Sequence, residues 1–219
     1  GDWETALRTD THAATASAVL LDYNRFRNNT TVYDGTKAAY TMPHSDGSTT
    51  SEIYGGISYA GNTTANNHLT IKNLHQDTDS AYGGKTAGAS GSSVKNSVTV
   101  AGTGTHALKN IYGGYAENAA HDGAATENTI TITGGTISGS IYGGYTSGTG
   151  KATGNTVNLG DAAHDRLAEG TNLEHAILYG GNKENDVTGN TLNVYAKNAV
   201  VNSVKNFDKY VFHLKGDAA

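Results

Sequence analysis

A tyrosine followed by two glycines recurs five times in this 219-residue chain. The copies are Tyr54-Gly55-Gly56, Tyr82-Gly83-Gly84, Tyr112-Gly113-Gly114, Tyr142-Gly143-Gly144 and Tyr179-Gly180-Gly181. A glycine pair after a strand can cradle a phosphate, but that chemistry needs the glycines to open a helix, and none is signalled here. Nine histidines raise the question of a metal. His106, His121, His164 and His175 fall in or near loops, with His121-Asp122 and His164-Asp165 adjacent. Neither a His-Glu-x-x-His helix nor a His-x-His strand pair with a third ligand is present, so these read as solvated loop residues. Asp46 and Asp122, each before a glycine, read as turn residues, and the glycine-rich calcium nonapeptide array is missing. Sugar hydrolysis would need two carboxylates in one cleft. Glu52, Glu117, Glu127, Glu169, Glu174 and Glu184 lie mostly in or near loops. The nearest thing to a cluster, Asp161, Asp165, Glu169 and Glu174, alternates with His164, Arg166 and His175 and reads as a solvated loop. No Gly-x-Ser-x-Gly elbow occurs. The expectation is a non-catalytic chain with no cofactor and no metal.

The elements that carry these residues are repeats. The Tyr-Gly-Gly copies are spaced 28, 30, 30 and 37 residues apart, the signature of stacked units. A second element accompanies them, an asparagine followed by alternating polar and apolar residues. It starts at Asn67, Asn96, Asn128, Asn155 and Asn190, as in Asn128-Thr129-Ile130-Thr131-Ile132, with a degenerate first copy at Asn29-Thr30-Thr31-Val32-Tyr33. Period-two alternation with β-branched residues predicts a half-buried strand, its third and fifth positions facing inward. Each unit then reads as a strand, a glycine turn, a shorter strand ending in Ile-Tyr, a glycine corner and a loop. The loops vary most, at Ala116–Thr126 and Asp161–Glu174.

These features predict an all-β parallel β-solenoid of five to six coils, ~25–30 Å tall at a rung spacing of ~4.8 Å. Residues 29–198 form the repeats, residues 1–28 an atypical N-terminal cap, and residues 199–219 a C-terminal coil or cap and tail. An antiparallel sandwich of hairpins is the rival, but it has no need of near-identical units. In a solenoid, Asn67, Asn96, Asn128, Asn155 and Asn190 would pair amide to amide along the axis. Tyr54, Tyr82, Tyr112, Tyr142 and Tyr179 would stack as an aromatic ladder closing a corner. The glycine pairs would supply positive φ where the chain turns between faces.

Composition agrees. Glycine is 29 of 219 residues and proline occurs once, which favours turn-rich β structure over a disordered chain. The 15 basic and 20 acidic residues give a net charge of −5 without a basic patch, so nucleic acid is not an expected partner. Zero cysteines exclude disulfides and thiolate chemistry. No apolar run is long enough for a membrane helix. The opening Gly1-Asp2-Trp3-Glu4 lacks the basic start and apolar stretch of a signal peptide, and reads as a processed or engineered start that carries no information on compartment.

The units Asn128–Tyr145 and Asn155–Asn158, with Asn206-Phe207-Asp208-Lys209-Tyr210-Val211-Phe212, resemble passenger regions of bacterial autotransporter-type adhesins. The resemblance spans roughly residues 50–214 and implies an extracellular β-helix at a bacterial cell surface, whose outer-membrane barrel is not in this chain. It implies an adhesin fragment whose partner is a host surface protein or glycan. Tyr115 and Tyr145 lie three residues past a motif tyrosine, where other copies have Ile57, Lys85 and Asn182. Variation at that position makes these two the candidate contact residues. The alternatives are a structural subunit that stacks head-to-tail into an extracellular fibre, with exposed strand edges as templates, and a carbohydrate-active β-helix enzyme.

Overall fold

A computed structural model describes residues 26–36, 52–74, 76–88, 90–103, 106–117 and 120–216. Seventeen strands, numbered along the chain, make up the described secondary structure. Seven build the first sheet: β1 (Thr30–Asp34), β4 (His68–Lys72), β7 (Ser97–Ala101), β10 (Thr129–Ile132), β13 (Thr156–Leu159), β15 (Thr191–Val194) and β17 (Lys209–Phe212). A second sheet stacks β2 (Glu52–Ser58), β5 (Thr78–Ala87), β8 (Ala107–Glu117), β12 (Ser140–Thr146), β14 (Ile177–Gly181) and β16 (Ser203–Lys205), and β11 (Thr136–Ile137) joins it on β8. The short strands β3 (Thr64–Ala65), β6 (Ser93–Val94) and β9 (Ala125–Thr126) form a third. Every pairing between strands is parallel. The chain is therefore a parallel β-solenoid, and the antiparallel sandwich is ruled out.

Register turns sequence repeats into columns. Leu69, Val98, Ile130, Val157 and Leu192 stack in one inward column of the first sheet, and Tyr33, Ile71, Val100, Ile132, Leu159 and Val194 in the next. Facing them from the second sheet, Ile53, Ala81, Ile111, Ile141 and Leu178 stack likewise. These residues form one continuous buried core. A one-residue slip in any strand would send its apolar set to solvent, so the alternation fixes the register. The degenerate copy at residues 29–33 takes part fully, because Thr31 and Tyr33 fill inward positions.

The turns depart from the expectation. None of the ten motif glycines has positive φ, and the Tyr-Gly-Gly copies lie inside or at the end of strands β2, β5, β8, β12 and β14. The left-handed residue is instead the one just before each stacked asparagine: Asn28, Asn66, Lys95, Glu127, Gly154 and Gly189, with φ between 55° and 70°. Outside glycine this conformation costs ~1–2 kcal/mol. Glu127 is exposed, and its ion pair with Lys95 at 3.6 Å joins two largely exposed side chains, so it contributes little. Glu127→Gly is therefore expected to leave stability unchanged or raise it by up to ~1 kcal/mol; a clear loss in urea denaturation would contradict this corner assignment.

At the ends, residues 1–25 of the predicted N-terminal cap lie outside the described residues. Arg27 bridges to Ala65 and the Asn28 amide donates to the Ala65 carbonyl, so the start of the described chain already belongs to a coil. At the other end β16 and β17 extend the second and first sheets in register, which makes residues 203–212 a further rung.

Candidate functional site

The motif glycines are there for space. The first glycine of each pair directs its carbonyl along the stack, and a Cβ on Gly55, Gly83 or Gly113 would lie 2.3–2.4 Å from the carbonyl oxygen of Gly83, Gly113 or Gly143. In the first four copies the second glycine faces the axial asparagine: a Cβ on Gly56, Gly84, Gly114 or Gly144 would sit 2.4–2.6 Å from the side-chain amide of Asn67, Asn96, Asn128 or Asn155. In the fifth, a Cβ on Gly181 would meet the Ala152 carbonyl oxygen at 2.4 Å and one on Gly180 the Asn190 side chain at 2.5 Å. No side chain larger than hydrogen fits either position.

That space holds a buried amide ladder. The Nδ2 of Asn29 donates to Oδ1 of Asn67 at 2.7 Å, Asn67 to Asn96 at 2.9 Å, Asn96 to Asn128 at 3.2 Å, Asn128 to Asn155 at 3.1 Å and Asn155 to Asn190 at 3.4 Å. The same Oδ1 accepts the backbone N–H of the preceding asparagine, at 3.0 Å for Asn96 to Asn128. The remaining amide hydrogen goes to a backbone carbonyl, as from Asn128 to Ser93 at 3.1 Å. From Asn67 to Asn190 both amide hydrogens and the side-chain oxygen are partnered, so burial of these amides carries no desolvation penalty left unmet.

On the outer side of the second sheet the tyrosines stack. Ring centroids of Tyr54–Tyr82, Tyr82–Tyr112, Tyr112–Tyr142 and Tyr142–Tyr179 are 5.3, 4.8, 5.2 and 4.7 Å apart, all within 19° of parallel. Tyr115 and Tyr145 form a second ladder at 4.7 Å and 2°, set edge-on to the first at 4.9 Å and 84° for Tyr112–Tyr115 and 5.0 Å and 90° for Tyr142–Tyr145. Strict alternation would send residues three apart to opposite faces. They share a face because strand pairing skips the first glycine of the motif. This aromatic cluster is separate from the core: Tyr54, Tyr82 and Ile57 are buried in it, while Tyr112, Tyr115, Tyr142, Tyr145 and Tyr179 are half-buried. Inside the ladders the ring faces cover one another, so outward contact is through ring edges and hydroxyls.

The variable column also holds a cation that the aromatic cluster surrounds. Lys85 stacks below Tyr115 in register, and its ammonium lies 4.9 Å from the Tyr82 ring centre, 5.7 Å from Tyr115 and 6.0 Å from Tyr54. Glu117 at 3.4 Å and Glu52 at 4.0 Å pair with it. The Tyr54 hydroxyl also donates to Glu52. The signal was available: Glu52 precedes Tyr54 by two residues, which puts both on one strand face. Burial pushes the Glu52 carboxyl above its usual range; Lys85 pulls it down, while Asp79 and Glu117 push it further up. Burial likewise pushes the hydroxyls of Tyr82, Tyr112, Tyr115 and Tyr142 upward, so they remain protonated donors.

A carboxyl raised in the folded state favours folding while both states are protonated, and that advantage is lost as pH rises through the folded value. Wild-type stability should therefore contain a component that falls with rising pH, starting near the ordinary glutamate value of ~4.3. Glu52→Gln should flatten it in denaturation curves recorded across that range, and an unchanged slope would contradict the assignment.

The loop residues stay apart. His106 pairs with Asp77 at 3.5 Å, His164 with Asp161 at 2.8 Å, His175 with Glu174 at 3.2 Å and Lys197 with Asp165 at 3.8 Å. Asp161, Asp165 and Glu174 thus each serve a different side chain. Among the described residues no group of three or more histidines and carboxylates could hold a metal ion, and no helix is long and apolar enough to cross a membrane. No family model matches the chain, nor does any curated protein or solved structure.

Proposed function

We propose that the chain is a non-catalytic, extracellular display rod, the passenger-type part of a bacterial surface adhesin, which meets a host surface protein or glycan through its outer tyrosine face. One observation carries this reading: a two-column aromatic cluster lies outside the core, where packing of the solenoid does not require it. Tyrosines that combine apolar edges with hydrogen-bonding hydroxyls are the side chains that most often dominate recognition surfaces. The rod itself is stiff because each coil is tied to its neighbours by backbone ladders and the amide column.

Because the ring faces engage each other, the hydroxyls of Tyr115 and Tyr145 become the outward groups to test. Replacing both by phenylalanine preserves the stack. It is expected to weaken binding to host cells or to a glycan panel by about tenfold. Replacing both by alanine should remove binding. Unchanged binding by the alanine variant, with its fold intact by circular dichroism, would refute the assignment.

A further inference from the structure

The motif tyrosines form an unbroken column in which no step between ring centres exceeds 5.3 Å. Its surroundings change along the way. Tyr112, Tyr142 and Tyr179 are half-buried, within reach of water. Tyr54 and Tyr82 are 1 % and 5 % exposed. The Tyr54 hydroxyl donates to Oε2 of Glu52, and the Tyr82 hydroxyl stands 3.5 Å from Oε1. Lys85, 4.0 Å from that carboxylate, favours its ionised form. A phenol gives up an electron readily only when its proton can leave with it. Positive charge on these rings is further disfavoured by the Lys85 ammonium, 4.9 Å from the Tyr82 centre and 6.0 Å from that of Tyr54. The proton acceptor therefore decides where an electron vacancy comes to rest.

We propose that the column is a redox ladder, which carries one-electron oxidation from the outer tyrosines to Tyr54, where Glu52 takes the phenol proton. The oxidant is a one-electron acceptor of the class of a ferryl haem or a ruthenium(III) complex. It takes one electron from Tyr179, whose hydroxyl proton leaves to water. Tyr179 regains an electron from Tyr142 and a proton from water, and the same exchange repeats down the column. At Tyr54 the O–H bond breaks, the proton moves to the Glu52 carboxylate and a neutral phenoxyl radical remains. The net change is one electron passed to the oxidant and one proton passed to Glu52. Burial keeps this radical from reductants in solution and from coupling with a second radical. Oxidation is thereby drawn away from Tyr115 and Tyr145, which stand edge-on to Tyr112 and Tyr142.

The chain has no cysteine, so Lys205→Cys, at an exposed position above Tyr179, accepts a single thiol-linked ruthenium tris-bipyridine. Flash-quench oxidation of this full chain, followed by transient absorption and electron paramagnetic resonance, should show a long-lived tyrosyl radical. Glu52→Gln, which keeps the shape but is a poor proton acceptor, should shorten its lifetime at least ~tenfold. Tyr54→Phe should shorten it as much. Tyr112→Phe combined with Tyr115→Phe keeps the rings but removes both oxidisable groups of that rung. The hop then doubles to about 10 Å, and most of the radical yield should be lost. Circular dichroism checks that each variant is folded. A lifetime indifferent to Glu52→Gln or to Tyr54→Phe, or a yield indifferent to the double phenylalanine variant, would overturn the proposal.

Discussion

Asn128→Ala is expected to lower unfolding stability by about 3–6 kcal/mol, a large share of the ~5–15 kcal/mol that holds a typical domain together. The amide of Asn128 sits mid-ladder, fully buried. Truncation removes the acceptor of the Asn96 backbone N–H and of the Asn96 side-chain amide. It also removes the donor to the Ser93 carbonyl and to Asn155. Each buried group left unpaired costs ~1–3 kcal/mol. A useful contrast is Asn158→Ala in the outer column of the first sheet. Asn158 donates to the Thr131 hydroxyl at 3.1 Å and accepts from the Asn193 amide at 2.9 Å, but it is only half-buried, so water can replace these bonds for about 1 kcal/mol. Urea denaturation of both variants checks this, and equal losses would mean that the axial amides carry no special weight.

Gly113→Ala and Gly114→Ala should each cost ~3 kcal/mol or more, since the new methyl would meet atoms in a packed stack that has little room to give. At Gly113 the obstacle is the Gly143 carbonyl oxygen, 2.4 Å away. At Gly114 it is the Asn128 amide, at 2.4–2.7 Å. Gly170→Ala makes the comparison informative. Gly170 has a φ of +84° but no atom within 4 Å of its would-be Cβ, so only conformational strain of ~1 kcal/mol is expected. The order of losses, with Gly170 the smallest, separates glycines that clear space from glycines that turn the chain.

That separation marks what could be read from the sequence. The parallel stack was legible because repetition and period-two alternation act locally: Ile130 and Ile132 announce an inward face without knowledge of any neighbour. The asparagine column followed from the same repetition, since equal positions in successive coils must lie over one another. The role of the glycines was not legible. In sequence Gly113 and Gly114 look like a turn, yet what they accommodate lies elsewhere in the chain, at Gly143 and Asn128. The true corner residue varies among Asn, Lys, Glu and Gly, as at Asn66, Lys95, Glu127 and Gly154. Its conformation is imposed by the rungs on either side and not by its own preference. The paired tyrosine ladders were half legible: stacking was implied by the repeat, while the edge-on setting of Tyr112 against Tyr115 depends on the pairing skip at Gly113. The ion pairing of Lys85 was not legible because its carboxylate partner Glu117 comes from the next coil and Glu52 from the preceding one.

In the first four copies, Tyr-Gly-Gly recurs because its second glycine makes room for an axial amide. A double-mutant cycle between positions 114 and 128 tests it, measured by equilibrium unfolding. Once Asn128→Ala has removed the amide, Gly114→Ala should cost at least ~1–2 kcal/mol less than it does alone. Gly113→Ala, blocked by backbone, should gain no such relief. Additive losses at 114 and 128, or equal relief at 113, would contradict the account.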